Sequence, residues 1–238
     1  MALPSLVAPE YEITIPSTKQ TVKYRPFLVK EEKILYLAME SGEEKEVLNA
    51  LINLLDSCIL DEIDTKVMTT YDLEYLFLNI RSKSVNDVIT LNAKHKDEEK
   101  CNGVTKIEIQ INDVNISHDE EHIYNLVLDE TTGLGFELRD PAALDLGEVV
   151  ETKDEFDAVF GMLYKCVKLV FDENNVYDNF TEKELRENIL DNLNQKQFEK
   201  LMAFFNTIPK LKHEIEYTCS KCKEKETVVI EGLQSFFT

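Results

Sequence analysis

Residues 213–232 read HEIEYTCSKCKEKETVVIEG, two runs of alternating apolar and polar residues on either side of a Cys-x-x-Cys. Period-two alternation marks strands, and the lysine-rich break between them marks a turn, so the stretch is a β-hairpin with Cys219 and Cys222 at its tip. Two sulfurs on one side of a tight turn are half of a tetrahedral zinc site of the ribbon type. The other half has to come from elsewhere in the chain. Residues 85–114, VNDVITLNAKHKDEEKCNGVTKIEIQINDV, have the same design, two strands around a long charged loop that carries His95 and Cys101. If the two hairpins meet, Cys219, Cys222, His95 and Cys101 form a Cys₃His set for a structural zinc ion. His213, on the strand before the knuckle, is a substitute ligand. A redox centre is the alternative, but its Cys-x-x-Cys belongs at a helix N-terminus, and strands flank this one. A plain hairpin whose thiols bind nothing also remains open.

Working outward, the first half and the second half follow the same order. Residues 11–28 alternate around PSTKQ as a hairpin with Ile13, Ile15, Val22 and Tyr24 on one face, closed by Pro26. Helical spacing follows over 29–42, stopping at Gly42, then over 43–60 and 69–84. In the second half, residues 122–138 form a hairpin around DETTG, with Pro141 where the first half has Pro26. A helix is expected over 152–171, and Phe156 to Lys168 align without a gap on Leu48 to Leu60, placing Cys166 on Cys58 and Leu163 on Leu55. Helices over 181–193 and 194–206 precede the closing hairpin. The expected fold is α+β, with two similar halves at 1–119 and 120–238, each a hairpin, about three helices and a closing hairpin, the last a zinc-ribbon-like knuckle. Cys58 and Cys166 sit on apolar helix stripes and read as small core residues. His118 and His122 stand four apart, but the chain between and after them runs into a strand, which argues against a shared metal.

Composition narrows the function. The chain has 238 residues, 43% hydrophobic, enough for a substantial core. Lys and Arg number 26 against 46 Asp and Glu, a net charge of −20, so a phosphate backbone is repelled by most of the surface and nucleic acid is an unlikely partner. No apolar run approaches a bilayer span and the N-terminus lacks the pattern of a targeting segment, which predicts a soluble protein of the cytoplasm with no membrane partner. The scattered spacing of the cysteines predicts reduced thiols. No phosphate loop, His-Glu-x-x-His or Gly-x-Ser-x-Gly occurs, and the acid runs read as solvated loops, so no catalytic residue and no enzyme is expected. Arg25, beside Pro26, is expected to pair with an acid on a helix, with a contact to another molecule as the alternative. Leu3, Leu6, Val7, Leu233, Phe236 and Phe237 near the ends offer short apolar segments that could dock on a neighbour or fold back on the core.

MALPSLVAPEYEITIPST (1–18), VKYRPFLVKEEKILYLAMES (22–41), YDLEYLFLNIRSKSV (71–85), EYTCSKC (216–222) and VVIEGLQSFF (228–237) together resemble the baseplate hub subunits and hub-assembly proteins of T-even-type contractile-tailed bacteriophages. The resemblance covers essentially the whole chain. It implies a non-enzymatic role in baseplate assembly in the host cytoplasm, with other phage baseplate hub proteins as partners and a place in the virion tail for those members that stay. It carries over no catalytic residue. The competing expectation is a zinc-knuckle adaptor that binds nucleic acid or a host factor through the C-terminal hairpin, where Lys221, Lys223 and Lys225 give the tip a local basic character.

Overall fold

The computed structural model describes residues 7–97, 99–149, 155–232 and 235. It is a mixed α+β protein with four antiparallel sheets and seven α-helices among the described residues. The polypeptide folds into two compact units, one made of residues 1–65, 71–117 and 210–238, the other of 66–70 and 118–209. Leu3, Leu6, Leu233, Phe236 and Phe237 lie outside the described residues, and Val7 is exposed.

In the first unit, β1 (Tyr11–Thr14) and β2 (Thr21–Tyr24) pair as the expected hairpin, with Ile13 opposite Val22. Ile13, Ile15, Val22 and Tyr24 are all buried, as alternation on a one-sided strand requires. Helix α1 (Val29–Ser41) ends at Gly42, whose φ of 71° is the left-handed cap that glycine accommodates without strain. Helix α2 (Glu44–Cys58) buries Leu51, Ile52, Leu55 and Cys58 along one stripe. Helix α3 (Thr70–Ser84) is buried nearly all round through Tyr71, Leu73, Leu76, Phe77, Leu78 and Ile80. Asp72 in its first turn accepts from the Ser17 N–H and hydroxyl of the hairpin turn, while Ser84 in its last turn accepts from the Phe27 N–H. Then come β3 (Val88–Lys94) and β4 (Val104–Gln110), paired over their full length, and the short β5 (Asn115–Ser117).

The second unit holds one four-stranded sheet in the order β6 (Asn125–Asp129), β7 (Leu134–Leu138), β8 (Val167–Phe171), β9 (Val176–Tyr177). Its helices are α4 (Ala143–Val149), α5 (Glu155–Cys166), α6 (Glu182–Asn188) and α7 (Gln195–Thr207). Leu126, Phe136, Leu138, Leu163, Val170 and Phe204 belong to one apolar core cluster. The long helix expected over 152–171 stops at Cys166, and VKLVF becomes β8. The cause is tertiary: Val167 and Val170 are β-branched, and β7 offers an edge to pair with, the register shifting at Lys168 so that Leu169 faces Glu137 and Val167 faces Leu138. The helix expected over 181–193 is shorter than read, ending at Asn188 with a 3₁₀ turn over Leu190–Asn192.

The chain returns to the first unit with β10 (Lys210–Thr218) and β11 (Lys225–Glu231), the hairpin of the opening quotation. β10 pairs with β11 along most of its length and with β5 at its base, Lys210–Lys212 against Asn115–Ser117.

One joint occurs in both units. In the first, Arg25 donates to the Pro26 carbonyl and bidentately to Glu31 at 3.0 and 2.8 Å, Glu31 Oε2 accepts from the Leu28 N–H, and the Arg25 N–H meets the Cys58 carbonyl at 2.9 Å. In the second, Arg139 donates to the Asp140 carbonyl and to both oxygens of Asp145 at 2.8 and 3.2 Å, Asp145 Oδ2 accepts from the Ala142 N–H, and the Arg139 N–H meets the Cys166 carbonyl at 2.8 Å. Each joint turns a hairpin into a helix, caps that helix with a carboxylate in its first turn, and anchors the strand to the end of the next helix. Beyond each cysteine the chain pairs back on the hairpin, Ile59 bridging Tyr24 and Val167 opposite Leu138. The matching position of Pro26 is therefore Asp140 rather than Pro141. Burial pushes both the Cys58 and Cys166 thiols up to about 12, in keeping with inert core residues.

Candidate metal centre

The tips of β3–β4 and β10–β11 are built alike. His95 and Cys219 each follow the last residue of the first strand of their hairpin. The His95 N–H donates to the Gly103 carbonyl at 3.0 Å, and the Cys219 N–H to the Glu224 carbonyl at 2.9 Å, so each closes its loop onto the residue before the second strand. Cys101 stands two places before Gly103, and Cys222 two places before Glu224. Thus the loops present His95 and Cys101 from one hairpin, Cys219 and Cys222 from the other, at corresponding positions. The spacing of six in one loop and three in the other reflects only how long the loop is between those fixed points.

The structure brings these four side chains together, and one ligand atom from each lies within 4.8 Å of all the others. No other such group of His, Cys, Asp or Glu occurs among the described residues. His95, Cys101 and Cys219 are buried; Cys222 is exposed at the rim. The Cys101 and Cys219 sulfurs are 3.8 Å apart, far beyond a disulfide. With a Zn–S bond of about 2.3 Å, two sulfurs at tetrahedral vertices stand about 3.8 Å apart. Gly103 makes room for this approach: a Cβ there would fall 2.7 Å from Cys219 Sγ, 3.0 Å from Lys221 Cβ and 3.2 Å from Cys101 Sγ.

Around the cluster, polar bonds fasten one loop to the other. The Ser220 N–H donates to Thr105 Oγ1 and its hydroxyl to the Val104 carbonyl, both at 2.8 Å, and Lys221 bonds Asn102. The Tyr217 hydroxyl lies 2.6 Å from Glu226 Oε2 and 3.0 Å from the Lys94 carbonyl, and the Lys96 N–H reaches the same carboxylate.

The electrostatics suit a metal. Backbone N–H groups of Cys222 and Lys221 pull the Cys219 thiol down to about 7, toward the thiolate that ligates. Against a backbone hydrogen bond from Glu224, desolvation and the thiols of Cys219 and Cys101 raise Cys222. His95 Nδ1 lies 3.1 Å from both the N–H and the carbonyl of Asp97. Its Nε2 is buried and has no hydrogen-bond partner, although Glu226 and Glu224 stand 3.3 and 3.4 Å away without hydrogen-bond geometry. Three thiols and an imidazole form a soft, tetrahedral-sized donor set that fits zinc and does not fit the oxygen-preferring cations.

The other histidines are placed elsewhere. His213 lies opposite Ile230 in the hairpin register, away from the cluster. His118 is exposed, while His122 is bonded to Thr207 at 2.9 Å and Asp140 at 3.2 Å, stacked on Phe204. That buried network was not visible from the spacing of the two histidines, because its partners come from the segment after β7 and from α7. Among the described residues no helix is long and apolar enough to cross a membrane.

Compared with known proteins, residues 8–238 match the sequence model of a family described as T4 bacteriophage base plate protein. No curated protein and no solved structure matches the chain.

Proposed function

The chain belongs to the T4 bacteriophage base plate protein family, and from that membership we infer that it is a non-enzymatic protein of the tail baseplate, working in the hub or in hub assembly. The match over residues 8–238 carries this reading. Its partners are other baseplate proteins, met in the host cytoplasm during assembly, and a place in the finished virion fits the same chemistry. The charge of −20 keeps an assembly intermediate soluble and favours partners with basic patches, raising encounter rates more than final affinity.

Within this role, the sequence halves 1–119 and 120–238 are two copies of one plan of hairpin, helices and closing hairpin. The two Arg–carboxylate–cysteine joints and the matched knuckle loops support it. Sequence halves and compact units then differ because the second closing hairpin packs in the first unit.

Co-expression of the chain with the other baseplate proteins of the same phage tests the role. A complex that survives gel filtration is expected; failure to associate with any of them overturns the reading. A competing role as a nucleic-acid adaptor has one observation in its favour, the lysines Lys96, Lys100, Lys221 and Lys223 exposed on the two tips. Filter binding at two salt concentrations separates the roles, since binding through phosphates weakens as salt rises.

A further inference from the structure

We propose that His95, Cys101, Cys219 and Cys222 bind one zinc ion, and that this ion is the tip-side fastening of the β10–β11 hairpin within the first unit. The inference stands apart from the baseplate role and rests on three observations. The first is the matched placement of a ligand pair in each loop, which gives four donors from two elements separated by more than a hundred residues of chain. The second is the 3.8 Å sulfur–sulfur distance, the edge of a zinc–thiolate tetrahedron. The third is His95 Nε2, a buried nitrogen with no hydrogen-bond partner. Nδ1 is occupied by the Asp97 backbone, so Nε2 is the nitrogen left to ligate. Glu226 Oε1 and Glu224 Oε2 stand 3.3 and 3.4 Å from it without hydrogen-bond geometry, and the Glu226 carboxylate also accepts from the Tyr217 hydroxyl and the Lys96 N–H.

The site is closed, with four protein donors and no vertex for a substrate, which is the pattern of a structural ion. What it holds is specific. Residues 210–232 return to the first unit after the whole of the second has been made. Their base is secured by the pairing of β10 with β5 and by the Gly232 N–H on the Leu211 carbonyl. At the tip, Ser220 makes two hydrogen bonds to the β4 segment, and the buried Cys101 and Cys219 sulfurs lie 3.8 Å apart, a spacing that one ion can bridge. Zinc therefore completes the unit from the far end, and binding free energy becomes folding free energy for the last hairpin.

The test uses the full chain purified in the presence of zinc. Metal analysis is expected to give one zinc per chain, abolished in the Cys219→Ser, Cys222→Ser double variant. Refilling the chelated protein with Co²⁺ is expected to give the absorption of a tetrahedral, thiolate-bound ion. His95→Ala is expected to weaken zinc about 10-fold or more with the sulfur-to-metal bands retained. Chelation of the unaltered protein is expected to speed tryptic cleavage at Lys96, Lys100, Lys221 and Lys223 about tenfold or more, leaving Lys183 and Lys196 as they were. Folded protein free of zinc that takes up no Co²⁺, or zinc retained in the double variant, overturns the site. Zinc that binds but whose removal leaves the tip lysines equally protected overturns the fastening role. Because chelation is done on the native sequence, a variant that fails to fold does not blunt the test. Loss of zinc binding would leave the baseplate role intact, and failure to join baseplate proteins would leave the zinc site intact.

Discussion

A methyl group added at Gly103 would meet the Cys219 sulfur at 2.7 Å, well inside the distance real Cβ atoms keep. Gly103→Ala must push the two knuckle loops apart, so zinc affinity, read by competition with a chromogenic chelator, should fall about tenfold or more while the rest of the fold stays intact. An unchanged affinity would mean the loops do not close as described. At the Arg25 joint, the hydrogen bond from Arg25, with the N–H of Leu28 and the nearby cations, holds the Glu31 carboxyl below its usual range. A depressed acid stabilises the fold above its unfolded pKa, and that contribution disappears as pH falls through the folded pKa. Wild-type protein should therefore lose stability more steeply than Glu31→Gln as the pH falls below the ordinary glutamate range of about 4.3, and Glu31→Gln should itself be about 1–3 kcal/mol less stable at pH 7 by urea denaturation. Equal acid limbs for the two proteins would remove the joint from the stability account. The pairing of Arg25 with a helix acid was legible in the sequence. Its recurrence was hidden by Pro26 and Pro141, which suggest a match one residue away from the one made by Arg25 and Arg139.

At the scale of elements, reading succeeded where one periodicity ruled. Both closing hairpins, the first hairpin and α3 follow their patterns, and α6 and α7 begin at side-chain caps, Thr181 and Asn194, each reciprocated three residues on. Asn194→Ala should cost about 1 kcal/mol, measured as a shift in the urea midpoint; no shift would show that packing of Leu201 and Phe204, and not the cap, sets where α7 begins. Reading failed at Cys166, where helix gives way to strand with no glycine or proline between Met162 and Phe171. Such a boundary is fixed by the partner strand β7, which local sequence does not display. The same holds for β5, three residues that become a strand because β10 pairs with them. The four-residue cluster was legible because each of two hairpins, read from alternation, carries two metal-binding residue types in its loop. The burial of His95 and the need for Gly103 were not, since both depend on how one tip lies against the other.

For the whole molecule, the proposed role of a strongly acidic chain that belongs to the T4 bacteriophage base plate protein family is to join other proteins. The most direct test is sedimentation of baseplates from bacteria infected with a phage lacking this protein. Complete baseplates should be missing, and should return when the chain is supplied from a plasmid. Full-sized baseplates forming in its absence would contradict the account.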